Sequence, residues 1–119
     1  VNDLIHGASF REMLTPADAT AALDASGQHV VVVYKHSPIC DLSERALIEM
    51  NEFLRDAPSS LDVRIVDVLA ARPASQWVEA RTGVRHESPQ VLILERGEVV
   101  WNASHSRITA HALRQALAR

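Results

Sequence analysis

The apolar pattern of this chain predicts an α/β fold: a central mixed β-sheet flanked by helices on both faces. Three observations carry that expectation. Short β-branched runs alternate with helix-periodic stretches, which implies parallel strands joined by right-handed crossovers. The run Val30-Val31-Val32-Val33-Tyr34 is apolar without alternation, the pattern of a central strand covered on both faces. Near the end, two strand-like runs flank Arg96-Gly97, a tight-turn signal that adds antiparallel pairing.

Taken in order, Phe10-Arg11-Glu12-Met13-Leu14 reads as a short first strand. Thr15-Pro16-Ala17-Asp18 then starts a helix, with Thr15 as N-cap, Pro16 in the first helical position and an acid in the first turn. That alanine-rich helix should stop near Gly27, and the second strand runs from Val30 to Tyr34. After Cys40, the recurrence of Leu42, Ala46, Leu47, Met50, Phe53 and Leu54 is the stripe of an amphipathic helix, closed by Pro58. Val63 to Val68 forms the third strand, and a helix from about Pro73 to Thr82 ends at Gly83. Gln90–Glu95 and Glu98–Trp101 make the hairpin, and Thr109 caps a last helix, Ala110–Ala118. The predicted order is therefore β-α-β-α-β-α-β-β-α.

At 119 residues the chain has the length of a single domain, 1–119, and can bury roughly two-thirds of its unfolded surface. A net charge of −3 offers no basic footprint, which argues against nucleic acid as partner. No apolar run approaches the ~20 residues needed to cross a bilayer, so no membrane association is expected. The first residues lack the basic-then-apolar order of a signal peptide, and a cytoplasmic location is expected. A single cysteine excludes an internal disulfide. The histidines show no metal-ligand spacing, no phosphate loop or nucleophile elbow is present, and neither a metal nor a resident cofactor is expected.

The chemistry concentrates at Cys40. It falls where a strand hands over to a helix, at the end whose backbone N–H groups lack partners and favour an anion. That anion would be the thiolate, the nucleophilic form. A lone cysteine is commonly a small buried hydrophobe, but Cys40 sits among Ser37, Pro38, Asp41 and Ser43, outside the apolar stripe. Lys35, the sole lysine, and His36 precede it as candidate cations, while Asp41 opposes negative charge on the sulfur. Ser43 takes the place where a dithiol oxidoreductase carries its second cysteine. Serine cannot form a disulfide, so a mixed disulfide on Cys40 must be resolved by an external thiol. Far downstream, Ser88-Pro89 opens a strand. A cis bond there would expose the Ser88 backbone as a pairing edge for an extended substrate, but the sequence leaves the isomer open.

A thiol at a strand-to-helix turn followed by a proline opening a later strand resembles the layout of thioredoxin-type redox proteins. The string Tyr-Lys-His-Ser-x-x-Cys-x-x-Ser, Tyr34 to Ser43, is similar to the active turn of the YtxJ-like monothiol bacilliredoxins. Gly83 to Val91 and Gly97 to His105 resemble that family too, so the likeness spans nearly the whole chain. It implies a thioredoxin-like fold and removal of bacillithiol, a co-substrate rather than a bound cofactor, from S-bacillithiolated cytosolic proteins. Carried over, Cys40 is the attacking thiol, Ser43 stands at the absent resolving position and Pro89 is the cis-proline. The family commonly has proline after the cysteine, where this chain has Asp41, and Pro38-Ile39 replaces a threonine-led pair. Bacillithiol carries a malate group, so the resemblance calls for donors around its two carboxylates. Lys35, His36, Arg85, His86 and His105 are the basic candidates, and Ser88 is the backbone edge. Two other readings stand beside this one: a redox-inactive adaptor using the same groove, and a general monothiol oxidoreductase serving another low-molecular-weight thiol. A lone exposed thiol also leaves open a disulfide-linked dimer through Cys40.

Overall fold

The structure, a computed structural model, describes residues 10–118. Residues 1–9, part of the segment read above for a signal peptide, and residue 119 lie outside the described residues. The chain runs β1 (Phe10–Glu12), α1 (Pro16–Ala25), β2 (Val31–His36), α2 (Asp41–Arg55), β3 (Asp62–Asp67), α3 (Arg72–Thr82), β4 (Gln90–Glu95), β5 (Glu98–Ser104), a short 3₁₀ helix (His105–Arg107) and α4 (Ala110–Ala118). The expected order of elements holds throughout.

Five strands form one mixed sheet in the order β1-β3-β2-β4-β5. The first three are mutually parallel, while β4 runs antiparallel to both β2 and β5. Strand pleating divides the side chains between two cores. Val32, Tyr34, Val63, Ile65, Val91 and Ile93 pack with Met50, Phe53 and Leu54 of α2 and Leu113 of α4. On the other face Val31, Val33, Val66, Leu92 and Leu94 meet Ala19 and Ala22 of α1 and Ala74 and Val78 of α3. Helices thus cover both faces, as the sequence predicted.

Local signals explain the ends of several elements. Thr15 Oγ1 accepts from the Asp18 amide at 3.2 Å, and the Asp18 carboxylate accepts in return from Leu14 and Thr15 N–H groups. Those backbone donors hold the Asp18 carboxyl below its usual pKa. Gly83 ends α3 with φ +74°, a left-handed conformation that costs glycine least. Arg96 and Gly97 both have positive φ, 54° and 77°, the signature of the tight hairpin turn whose twist matches its strands. Thr109 Oγ1 accepts from the Ala112 amide at 3.0 Å, the cap expected for α4.

Two strands run further than their apolar runs suggested. β2 continues through Lys35 and His36, because Lys35 pairs with both Val66 and Gln90 and His36 with Asp67. β5 continues through Asn102, Ala103 and Ser104, which pair with Leu92, Val91 and Gln90. The segment expected as a loop after Trp101 is therefore strand, and His105 begins the turn. Cross-strand hydrogen bonding overrides the polar composition that suggested an earlier stop.

A partly buried ion pair sits on the α1/α3 face of β3. Arg64 Nε and Nη2 donate to the Asp62 carboxylate at 2.8 and 2.9 Å, and His29 Nε2 lies 2.7 Å from it. Hydrogen bonding from Arg64, with His29 adding to it against the opposing effect of burial, holds the Asp62 carboxyl at a pKa of about 2. A lowered native pKa stabilises the fold above the unfolded value and loses that contribution as pH falls through the native one. Between about pH 4 and pH 2 the protein should therefore lose about 1 kcal/mol from this group, solvent screening of a partly exposed carboxylate reducing the full linkage value. Urea midpoints for wild type and Asp62→Asn should differ clearly at pH 6 and converge toward pH 2. A constant gap across that range would show that the carboxylate contributes nothing through its charge.

Candidate active site

The parallel and antiparallel pairings bring four chain segments to one end of the sheet. β2 ends there at His36, β4 starts there at Gln90, and β5 ends there at Ser104. The turn Ser37 to Cys40 leaves β2 and enters α2, with Cys40 as N-cap in an extended conformation. Its side chain makes no capping hydrogen bond and is partly exposed. The sulfur thus lies at the positive end of a fifteen-residue helix without being consumed by the cap. Asp41 and Glu44 occupy the first helical turn.

The turn is held by buried polar contacts. Ser43 is fully buried, and its Oγ accepts from the Ser37 amide at 3.1 Å. This hydrogen bond fastens the turn around Cys40. Tyr34 beneath it is also fully buried; its hydroxyl donates to the Ser43 carbonyl at 3.3 Å and lies 3.0 Å from His36 Nδ1. Burial, with the nearby Cys40 charge second, raises the Tyr34 pKa, so the phenol stays protonated. Burial, partly offset by Asp67, lowers the His36 pKa and favours its neutral form. Tyr34 was read as part of an apolar run and of the active-turn string, not as a hydrogen-bonding group. The available signal was its hydroxyl, which a buried strand position must supply with a partner.

Lys35 requires a correction. The sequence suggested a cation beside the thiol. Its side chain instead enters the face covered by α1 and α3, because strand neighbours point to opposite faces and Tyr34 takes the α2 side. There it is fully buried, with Nζ 3.0 Å from His86 Nδ1. Burial lowers its pKa to about 8, against the opposing pull of Glu79.

The Ser88-Pro89 peptide bond is cis. Pro89 is buried and Ser88 half-buried, directly before β4. The Pro89 carbonyl accepts from the His105 amide at 3.0 Å, which ties the proline to the turn after β5. His105 itself has φ +55° and lines a cleft of about 290 Å³ with Leu42, Arg45 and Ile48 of α2 and Thr109. Cys40, Ser43, Ser88, Pro89 and His105 thus gather at one end of the sheet, whereas Lys35 and His86 meet on its other face. Among the described residues no cluster of three metal-ligating side chains occurs, and no helix is long and apolar enough to cross a membrane.

Comparison with known proteins settles the family. The family model for monothiol bacilliredoxin BrxC matches residues 11–113, most of the chain and all of this site. The chain belongs to the monothiol bacilliredoxin family. Among solved structures, it is similar to a thioredoxin-fold protein described as a candidate oxidoreductase. That match has 31% identity and TM-score 0.78, covering 91% of this chain and 93% of the other. The thioredoxin of Malassezia sympodialis, at 17% identity and TM-score 0.72, covers 93% of this chain and 90% of its own. Fasciola hepatica thioredoxin, also at 17% identity, has TM-score 0.69 with 92% and 97% covered. These two distant likenesses establish the thioredoxin fold. This bacilliredoxin is thus a thiol-disulfide oxidoreductase, in agreement with a lone thiol heading a helix and a serine three residues on.

Proposed function

We propose that this protein removes bacillithiol from S-bacillithiolated proteins in the cytoplasm, through a mixed disulfide on Cys40. The observation that carries the reading is the pairing of a partly exposed N-cap thiol with Ser43, which is fully buried and tied to the Ser37 amide. In the first step the Cys40 thiolate attacks the bacillithiol sulfur of the mixed disulfide. The S–S bond between bacillithiol and the client sulfur breaks, the client leaves as its thiolate, and bacillithiol is now disulfide-bonded to Cys40. A second low-molecular-weight thiolate then attacks that disulfide, releasing Cys40 as thiolate and carrying bacillithiol away as a new disulfide. No internal thiol competes for the second step, because the chain has one cysteine.

The cleft beside α2 suits the malate end of bacillithiol. Arg45 and His105 line it along with Thr109 and Glu49, whose Oε1 accepts from the Ala110 amide, so donors stand beside a partly apolar trough next to the start of α2. Arginine matches a carboxylate in charge and in its forked geometry. Among the basic candidates from the sequence, His105 keeps this role. Arg45 joins it, and Lys35 is withdrawn to its buried partner. Ser88 and Pro89, at the end of the sheet shared with Cys40, remain the proposed edge for the client chain.

The test is substrate discrimination. Arg45→Gln with His105→Gln should lower kcat/KM for a bacillithiol mixed disulfide about tenfold, the scale of one charge-assisted hydrogen bond. The same protein should lose less than about threefold on a mercaptoethanol mixed disulfide, which has no carboxylate. Equal losses would remove carboxylate recognition and leave a general monothiol exchanger.

A further inference from the structure

The cis-proline segment is fastened from the face of the sheet opposite α2. Residues 83–89 cross from the end of α3 to the start of β4 and carry Ser88 and Pro89. Three contacts hold their middle. Gln90 Nε2 donates to the Arg85 carbonyl at 3.0 Å, the His86 amide donates to Glu79 Oε2 at 2.7 Å, and Lys35 Nζ donates to His86 Nδ1 at 3.0 Å. The last contact is unusual in its two ends. Lys35 is completely buried within the sheet, whereas His86 is exposed and covers it from outside. The imidazole is therefore reachable by solvent protons while its inner nitrogen serves a buried ammonium.

We propose that Lys35 and His86 form a latch that positions the Ser88–Pro89 segment, closed while His86 Nδ1 is unprotonated and opened when that nitrogen takes a proton. The logic is that of donors and acceptors. An ammonium has three N–H donors and no acceptor, so its partner nitrogen must present a lone pair. A proton on Nδ1 turns that partner into a second donor and sets two cations face to face. Ser75 Oγ, 3.4 Å from the same nitrogen, can accept from the protonated ring but leaves Lys35 unpaired. The charged groups facing His86 are Lys35 from β2, Glu79 and Arg72 from α3, and Glu87 from its own segment. Burial of the ring's inner edge and then the Lys35 charge outweigh Glu79 and Glu87, and lower the His86 pKa. The latch is thus closed at neutral pH and opens in mild acid, below the midpoint of an ordinary histidine.

Amide hydrogen exchange on the full chain, followed from pH 5 to 7.5 with the His86 ring titrated by NMR, tests this. The reporter is the residue-86 amide, corrected for intrinsic exchange. In wild type its protection should fall roughly tenfold across the ring titration, the effect of one charge-assisted hydrogen bond. His86→Asn keeps an acceptor near the Nδ1 position and the same backbone donor to Glu79, but cannot titrate. Its protection should stay level. Lys35→Met, which fills the buried volume without the charge, should show low protection at every pH. If Lys35→Met does not fold, wild type against His86→Asn decides alone. Protection that ignores the ring titration, or the same acid loss in His86→Asn, overturns the latch. The use of the positioned segment in turnover rests on the thiol-exchange reading above. The exchange measurement does not, so a protein inactive on disulfides would overturn that reading and leave the latch standing or falling on its own result.

Discussion

Cys40→Ala should lose mixed-disulfide formation altogether, with no covalent adduct detectable by mass spectrometry after incubation with a bacillithiol-modified client. Ser43→Ala should still form the adduct and turn over, at a rate within about tenfold of wild type, since its oxygen lies outside the electron path. The alanine variant at 43 has a different cost. It leaves the buried Ser37 amide without its acceptor, a loss of about 1–3 kcal/mol that urea denaturation will register. A dead but fully stable Ser43→Ala protein would contradict both assignments, because the serine would then be serving the sulfur rather than the turn.

Ser43→Cys should change the reaction type. Residues three apart at a helix start lie within the ~4.4–6.8 Å Cα range that a disulfide spans. The second thiol could therefore attack the Cys40 mixed disulfide from within the same molecule. Intramolecular attack at a favourable effective concentration should shorten the life of the bacillithiol adduct by about a hundredfold or more. Acid quenching and mass analysis of the adduct over time would measure it. The opposing force is local: the Ser43 side chain points to the Ser37 amide, and sulfur is a poor acceptor there. An adduct as long-lived as in wild type would mean that this buried rotamer keeps position 43 turned from Cys40.

Much of the architecture was readable from the chain because its signals are local. The capping box at Thr15 and Asp18, the left-handed stop at Gly83 and the Arg96-Gly97 turn each depend on a few neighbouring residues. The same is true of Cys40. A polar, proline-bearing turn between a valine run and an amphipathic stripe is enough to place a thiol at a helix start. Strand ends were less legible. Lys35, His36 and the stretch from Asn102 to Ser104 looked like loop by composition, yet they belong to strands because Gln90, Asp67 and Val91 lie opposite them.

The sequence alone therefore determined the order of elements, the two-faced sheet, the thiol at its helix start and the absence of an internal resolving cysteine. All of these follow from periodicity, turn chemistry and residue identity over short spans. Only the tertiary structure decided which basic groups share the thiol's face of the sheet and which do not. Lys35 and Tyr34 are adjacent in the chain, but pleating sends one under His86 and the other under Ser43. The tie of Pro89 to His105 was likewise beyond local reading, since it depends on β5 returning alongside β4. Side-chain partnership across a sheet is set by register and by face, and neither is written in the residues next door.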